Sequence, residues 1–240
     1  MEDFDEALRL ELHDANYYFN RGNALLVLTK LDAALVDLNK AIELAPDVSM
    51  YYHSRGMCYQ QMDQKQQAIE EFKHALSLNS HQVPSRYHLG LMYRAISTDT
   101  NPTYNLALKE FSAVLAIDRS DRRVHEALAL VHRDMTDYMA SVEALTHAIE
   151  LEPEYPDNYF NRGQSLYLAE QHQKAIEDYD TAEKLGMADA SVCNARALAW
   201  TALDRFDLAR LDLSNAIALD AENPETLFQR SNCFYVMKEP

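Results

Sequence analysis

The chain has 240 residues, 48% of them hydrophobic and 25% charged, with a formal net charge of −16. That surplus of carboxylates opposes sequence-independent binding to phosphate backbones, whose affinity rests on clustered Lys and Arg, and it excludes nucleic acid as the expected partner. Only 5 residues are glycine, about 2% where roughly 7% is usual, so turn-rich sheets and Gly-rich phosphate loops have almost no material and an all-α chain is expected.

No uncharged run approaches the roughly 18 residues of a membrane span, so no membrane insertion is expected. The three cysteines, Cys58, Cys193 and Cys233, are far apart and outside any CxxC pairing. Neither a disulfide framework nor a zinc site is indicated, and a reducing compartment fits best. Residues 1–20 carry acidic groups and lack the basic start and apolar core of a signal peptide. A cytoplasmic location is the expectation.

Gly22, Gly56, Gly90 and Gly163 lie 34, 34 and 73 residues apart, and 73 is two periods of 34 plus five. In chain order this period predicts a partial repeat over 1–14 and full repeats over 15–48, 49–82, 83–121, 122–155, 156–189 and 190–223. A truncated repeat over 224–240 follows. The third repeat carries the five extra residues near 97–101, where Asn101 and Pro102 predict an N-cap with proline in the first helical turn. Residues 1–14, in which Phe4 and Ala7 match Phe72 and Ala75, read as a second helix, and 224–240 read as a first helix. The chain thus starts and stops inside a repeat, as an excerpt of a longer array would, or one whose ends are covered by further repeats or other subunits.

Gly22, Gly56, Gly90, Ala129, Gly163, Ala197 and Ser231 form one column of small residues. Mid-helix glycine costs roughly 0.5–1 kcal/mol relative to alanine, so four in register predict a neighbouring backbone too close for a side chain. A second small column reads Ala34, Ala68, Ala107, Ser141, Ala175 and Ala209, and a third reads Ala41, Ala75, Val114, Ala148, Ala182 and Ala216. Between them lies a large apolar column, Leu38, Phe72, Phe111, Leu145, Tyr179 and Leu213. The i, i+4, i+7 spacing puts these three columns on one helical face. Each period therefore holds two amphipathic helices of about 13 residues, the second often closed by proline, as at Pro46 and Pro153. Carboxylates such as Glu70, Glu71, Glu177 and Asp178 fall off the alanine columns and are expected on a solvated face.

Catalysis needs a nucleophile with a base in reach, or carboxylates paired across a cleft, and no such constellation emerges. His125, Glu126 and His132 miss HExxH spacing, and His132 shares a column with Leu25, Tyr59 and Trp200, so it reads as a packing residue. No enzymatic activity, cofactor or metal is expected.

The segments YFNRGNALL (18–26), YHSRGMCYQ (52–60) and YFNRGQSLY (159–167), with KAIELAP (40–46) and HAIELEP (147–153), resemble the tetratricopeptide repeat (TPR). The resemblance covers essentially the whole chain. It implies a right-handed α-solenoid, a superhelix of antiparallel helix pairs whose first helices line a concave groove for a helix or peptide of a partner protein. Carried onto this sequence, it places one groove column at Phe19, His53, Tyr87, Glu126, Phe160, Asn194 and Phe228, with Met57, Arg94, Arg123, Arg133 and Gln164 on neighbouring columns. Leu26, Val27, Met50, Leu91, Leu130, Tyr167, Leu168, Leu198, Tyr235 and Val236 add apolar surface. Three arginines there face four carboxylates, Glu126, Asp134, Asp157 and Glu225, so most of the negative charge is expected on the outer helices. Asn20 and Asn161 resemble asparagines that hold a ligand's backbone in some such grooves. Chaperone-tail binding is not expected, because Asn23 is the only match to the residues that grip a C-terminal carboxylate in co-chaperones of the family.

The expected function is a protein–protein interaction scaffold holding a helix or extended peptide within a multisubunit assembly. Two alternatives stand beside it. One is a fixed architectural subunit of a cytoskeletal or ciliary complex, and the other is the non-catalytic recruiting arm of a larger enzyme.

Overall fold

The computed structural model describes residues 14–98 and 100–237; the expected second helix over 1–14, with Phe4 and Ala7, lies outside them save for Asp14. Among the described residues there are α-helices and no sheet. In chain order they are α1 (Ala15–Val27), α2 (Leu31–Leu44), α3 (Ser49–Gln61), α4 (Lys65–Leu78), α5 (Val83–Ala95), α6 (Tyr104–Leu115), α7 (Arg122–Asp134), α8 (Tyr138–Leu151), α9 (Pro156–Leu168), α10 (His172–Lys184), α11 (Ala190–Ala202), α12 (Phe206–Leu219) and α13 (Pro224–Met237). The fold is an all-α solenoid of antiparallel helix pairs. It divides into two compact units, Met1–Arg119 and Ser120–Pro240. In each unit every helix packs on the one before it and the one after it.

The turns inside the pairs are made without glycine. At the end of α1 the Thr29 N–H donates to the Leu26 carbonyl (3.0 Å) and the Lys30 N–H to the Leu25 carbonyl (2.9 Å). This double closure captures carbonyls that the helix end would otherwise leave unpaired. It requires a left-handed residue, and Thr29 has φ 57°. Asp63, Thr136, Glu170 and Asp204 do the same at φ between 57° and 60°. Each non-glycine residue in this region costs roughly 1–2 kcal/mol, which the captured carbonyls and the tight antiparallel return offset.

The third pair is joined differently, by residues 96–103. Thr98 and Asn101 exchange two backbone hydrogen bonds of 3.2 Å. The Thr103 N–H donates to Ser97 Oγ (2.9 Å), and the Thr103 hydroxyl donates to the Tyr93 carbonyl. The N-cap of α6 is therefore Thr103, not Asn101. Asn101 and Pro102 are drawn into the connection because Thr103 is tied back to the end of α5.

The small column of the first helices also has a cause other than the expected one. A Cβ added at Gly56 would lie 2.7 Å from the Phe72 ring, at Gly90 2.7 Å from Phe111, and at Gly163 2.6 Å from Tyr179. What comes too close is a side chain of the paired second helix rather than a backbone. Where that side chain is Leu145 or Leu213, the first helix has Ala129 or Ala197, and each leucine packs in one cluster with its alanine. Large and small columns are two halves of one contact, with ring against glycine and leucine against alanine; Leu38 against Gly22 is the loosest fit, at 3.0 Å.

Glu71 and Asp178, expected on a solvated face, are instead held in ion pairs, Asp178 buried and Glu71 half-buried. Arg21 grips Asp37 through two bonds of 2.7 Å, Arg55 donates to Glu71 at 2.8 Å, and Arg162 grips Asp178 at 2.8 and 2.7 Å. Arg196 grips Asp212 at 2.9 and 2.7 Å. Every one joins a first helix to its own second helix sixteen residues on. Three of the arginines also reach back sixteen residues to the preceding second helix: Arg55 to Asn39, Arg162 to Thr146 and Arg196 to Asp180. One guanidinium thus fastens three helices, which suits its planar fork of donors. In the third and fourth pairs the position is Leu89 or Leu128, and Glu110 takes Arg86 instead (2.8 Å).

Candidate protein-binding trough

The column that runs through Phe19, His53 and their equivalents does two jobs. Most of its members dock onto the third residue of the next first helix. The Phe19 ring lies 4.8 Å from that of Tyr51. His53 Nδ1 is 3.0 Å from Ser85 Oγ, Glu126 lies beside the fully buried Asn158, and Asn194 accepts from the Thr226 hydroxyl at 3.0 Å. Phe160 packs in a cluster with Val192 and Tyr179. Ring meets ring and polar group meets polar group, so the column is first of all the joint between successive first helices. The rings were expected on an accessible surface, but Phe19, Tyr87 and Phe160 are half-buried, and Phe228 at 62% is the exposed member.

His53 is carried furthest from the trough. It is buried against Phe72 and His88, and burial together with His88 pushes its imidazole down to about 4. Met57 is half-buried and packs against the Leu25, Leu26 and Cys58 cluster. Tyr87 stands edge-on to His88. Asn20 is exposed, while Asn23 and Arg94 are half-buried. Arg123 is exposed and folds back on Asp121, the N-cap of its own helix, at 3.0 and 2.8 Å.

In residues 120–240 many of the expected residues converge, Arg133, Asn161 and Gln164 among them. Arg133 on α7 donates to Gln164 Oε1 on α9 at 2.8 Å and forms a wall shared by two cavities. One, of about 210 Å³, lies between α7 and α9 and is lined by Glu126, Leu130, Arg133, Asp157, Asn161 and Tyr155, floored by Ser141 and Leu145. The other, of about 300 Å³, is lined by Gln164, Tyr167, Leu168, Ala195 and Leu198 besides Arg133. The first is mixed in character; the second is almost wholly apolar.

Two contributors were not foreseen. Arg122 pairs with Glu126 and with Glu152 (2.9 Å), and its guanidinium lies 4.1 Å over the Tyr155 ring. Tyr155 sits in the loop before Pro156, outside the helical columns, so periodicity carries no sign of it. Burial raises the Glu126 carboxyl above the ordinary range against the opposing pull of Arg122. Among the described residues no three His, Cys, Asp or Glu are grouped to hold a metal ion, and no helix is long and apolar enough to cross a membrane.

Helix pairs each closed by small–large contacts, with cavities between successive first helices, define a helical-repeat protein. The chain belongs to the tetratricopeptide repeat family, whose models match residues 15–48, 51–82 and 126–190, more than half of its length. It is similar to the UDP-N-acetylglucosamine–peptide N-acetylglucosaminyltransferase of Giardia intestinalis, at 29% identity over 57% of this chain and 9% of that one. The BBSome complex member BBS4 of Bos taurus is 32% identical over 38% of this chain and 18% of that protein. The chain therefore spans only a small part of these relatives' length. Among solved structures, that of YrrB, a TPR protein with an unusual peptide-binding site, superposes with a TM-score of 0.66 at 21% identity, covering 80% of this chain and 97% of that one.

Proposed function

We propose that this chain is a protein–protein interaction scaffold that holds a helix or extended segment of a partner against its first helices, within a multisubunit assembly. The observation that carries this reading is the pair of adjoining cavities that share Arg133, open to solvent between first helices and lined by Asn161, Gln164, Tyr167, Leu168 and Leu198. Arg133, Asn161 and Gln164 supply donors and acceptors that set the register of a main chain, and the aliphatic and aromatic walls supply anchor sites. Phe160 packs beneath this surface against Val192 and Tyr179, and Phe228, exposed on α13, offers a further apolar contact; Phe19 and Tyr87 belong to the other unit and present their own half-buried rings there. His53 has no part in it.

Leu168 and Leu198 are 42% and 36% exposed, so Leu168→Asp with Leu198→Asp tests the trough while sparing the core. Partners crosslinked to the wild-type chain in native extract, identified by mass spectrometry, should be lost from the double variant while its helical circular dichroism is retained. Undiminished capture of the same partners would refute the trough. The likeness to BBS4, a member of the BBSome complex, favours a place in an assembly and supports, as a second reading, a fixed architectural subunit of a cytoskeletal or ciliary complex. The likeness to the Giardia transferase supports a recruiting arm in a larger enzyme.

A further inference from the structure

The two cavities differ in what they leave unsatisfied. Asp157, in the first turn of α9, lines the polar cavity, and its carboxylate has no ion-pair or hydrogen-bond partner among the described residues. Asn161, one turn further on, likewise lines that cavity with its carboxamide unengaged. The cations around them are committed elsewhere: Arg122 to Glu126 and Glu152, Arg123 to Asp121, and Arg133 to Gln164. The wider field has the same sign. Residues 120–240 hold eleven Lys and Arg against twenty-two Asp and Glu, a net −11, whereas residues 1–119 hold eleven against sixteen, a net −5. Such a field concentrates cationic partners near the surface before they dock.

We infer that the occupant of this trough is an extended segment of a partner protein that carries a lysine or arginine two or three residues from an aliphatic side chain. The inference rests on the trough being a peptide site and specifies what that site selects. The cation enters the polar cavity beside Asp157, the aliphatic group fills the apolar cavity between Leu168 and Leu198, and the free N–H groups of Arg133 meet main-chain carbonyls between them. The spacing follows from geometry. Neighbouring packed helices stand about 8–10 Å apart, and an extended chain advances ~3.3 Å per residue, so cavities one helix step apart are bridged by two or three residues. An acidic segment would meet Asp157 unpaired and the −11 of this unit, a like-charge juxtaposition that selects against it.

Selection of a random dodecapeptide phage library on the 240-residue chain at low salt tests this. Enriched sequences should pair Lys or Arg with Leu, Ile, Val or Met at that spacing, and synthetic peptides made from them should lose at least tenfold in affinity by fluorescence anisotropy against Asp157→Lys. They should weaken comparably against Leu198→Asp, and raised salt should weaken them further. Enriched acidic or uncharged peptides that still fail against Leu198→Asp would overturn the inference and leave the trough standing. Peptides indifferent to Leu198→Asp and Leu168→Asp, or no enrichment at all, would overturn both.

Discussion

The fifth helix pair is fastened by Arg162 gripping Asp178, while the fourth pair has Leu128 and Ala144 at the same two places. Both pairs seat a large side chain of the second helix against a small residue of the first, Tyr179 on Gly163 and Leu145 on Ala129. The comparison separates two terms. Apolar size-matching is present in both and is sufficient for a helix pair to form. The arginine is an addition that ties in the preceding second helix as well, through Thr146. A buried ion pair often adds little over a well-packed apolar substitute, yet losing one partner of it strands a charge.

The comparison is broken most severely by Asp178→Ala, which leaves Arg162 largely buried without its carboxylate. We expect a loss of about 3–5 kcal/mol in urea denaturation. Adding Arg162→Leu, so that the fifth pair copies the fourth, should recover most of that loss; if it does not, the arginine contributes more than charge satisfaction.

The same logic applies to the buried His53. Its folded-state pKa lies near 4, below the ordinary 6.5, so the unfolded chain binds the proton more readily. Stability is fully present above about pH 6.5 and falls as pH drops from there toward 4, by on the order of 2–3 kcal/mol from this group. Denaturation midpoints across that window should show a steeper acid loss for the wild type than for His53→Gln.

Gly163→Ala forces a methyl onto the Tyr179 ring and should destabilise by about 1–3 kcal/mol. Tyr179→Leu in that background copies the Ala129–Leu145 fit and should restore part of the loss, read as a shift in Tm. Smallest is the reverse transplant. Leu128→Arg with Ala144→Asp installs the staple in the fourth pair and should change stability by no more than about 1 kcal/mol, since a new ion pair there displaces apolar contact.

Much of this was open to sequence reading because repetition averages out local noise. The 34-residue period, the small and large columns and the helix pairs all follow from side-chain size recurring at helical spacing. The arginine staple was present in the sequence as well, as Arg with Asp or Glu sixteen residues on, but it crosses a turn and looks like surface charge within either helix alone. The aromatic column is expected as groove lining because the family resemblance assigns a face and does not say what covers that face. Its burial came from the next first helix, through Tyr51 at Phe19 and Ser85 at His53. Arg133, Asn161 and Gln164 were foreseen one by one; that they converge, and that Tyr155 joins them from a loop, depends on how neighbouring pairs lie against each other.

The amino-acid order by itself determined that this chain forms paired amphipathic helices, because burial patterns within a helix depend on spacing along one chain segment. Only the tertiary structure decided which carboxylates lie inside, which rings are seams and where cavities remain. Those depend on distances between residues far apart in sequence, set by how helices of given side-chain volume come into contact.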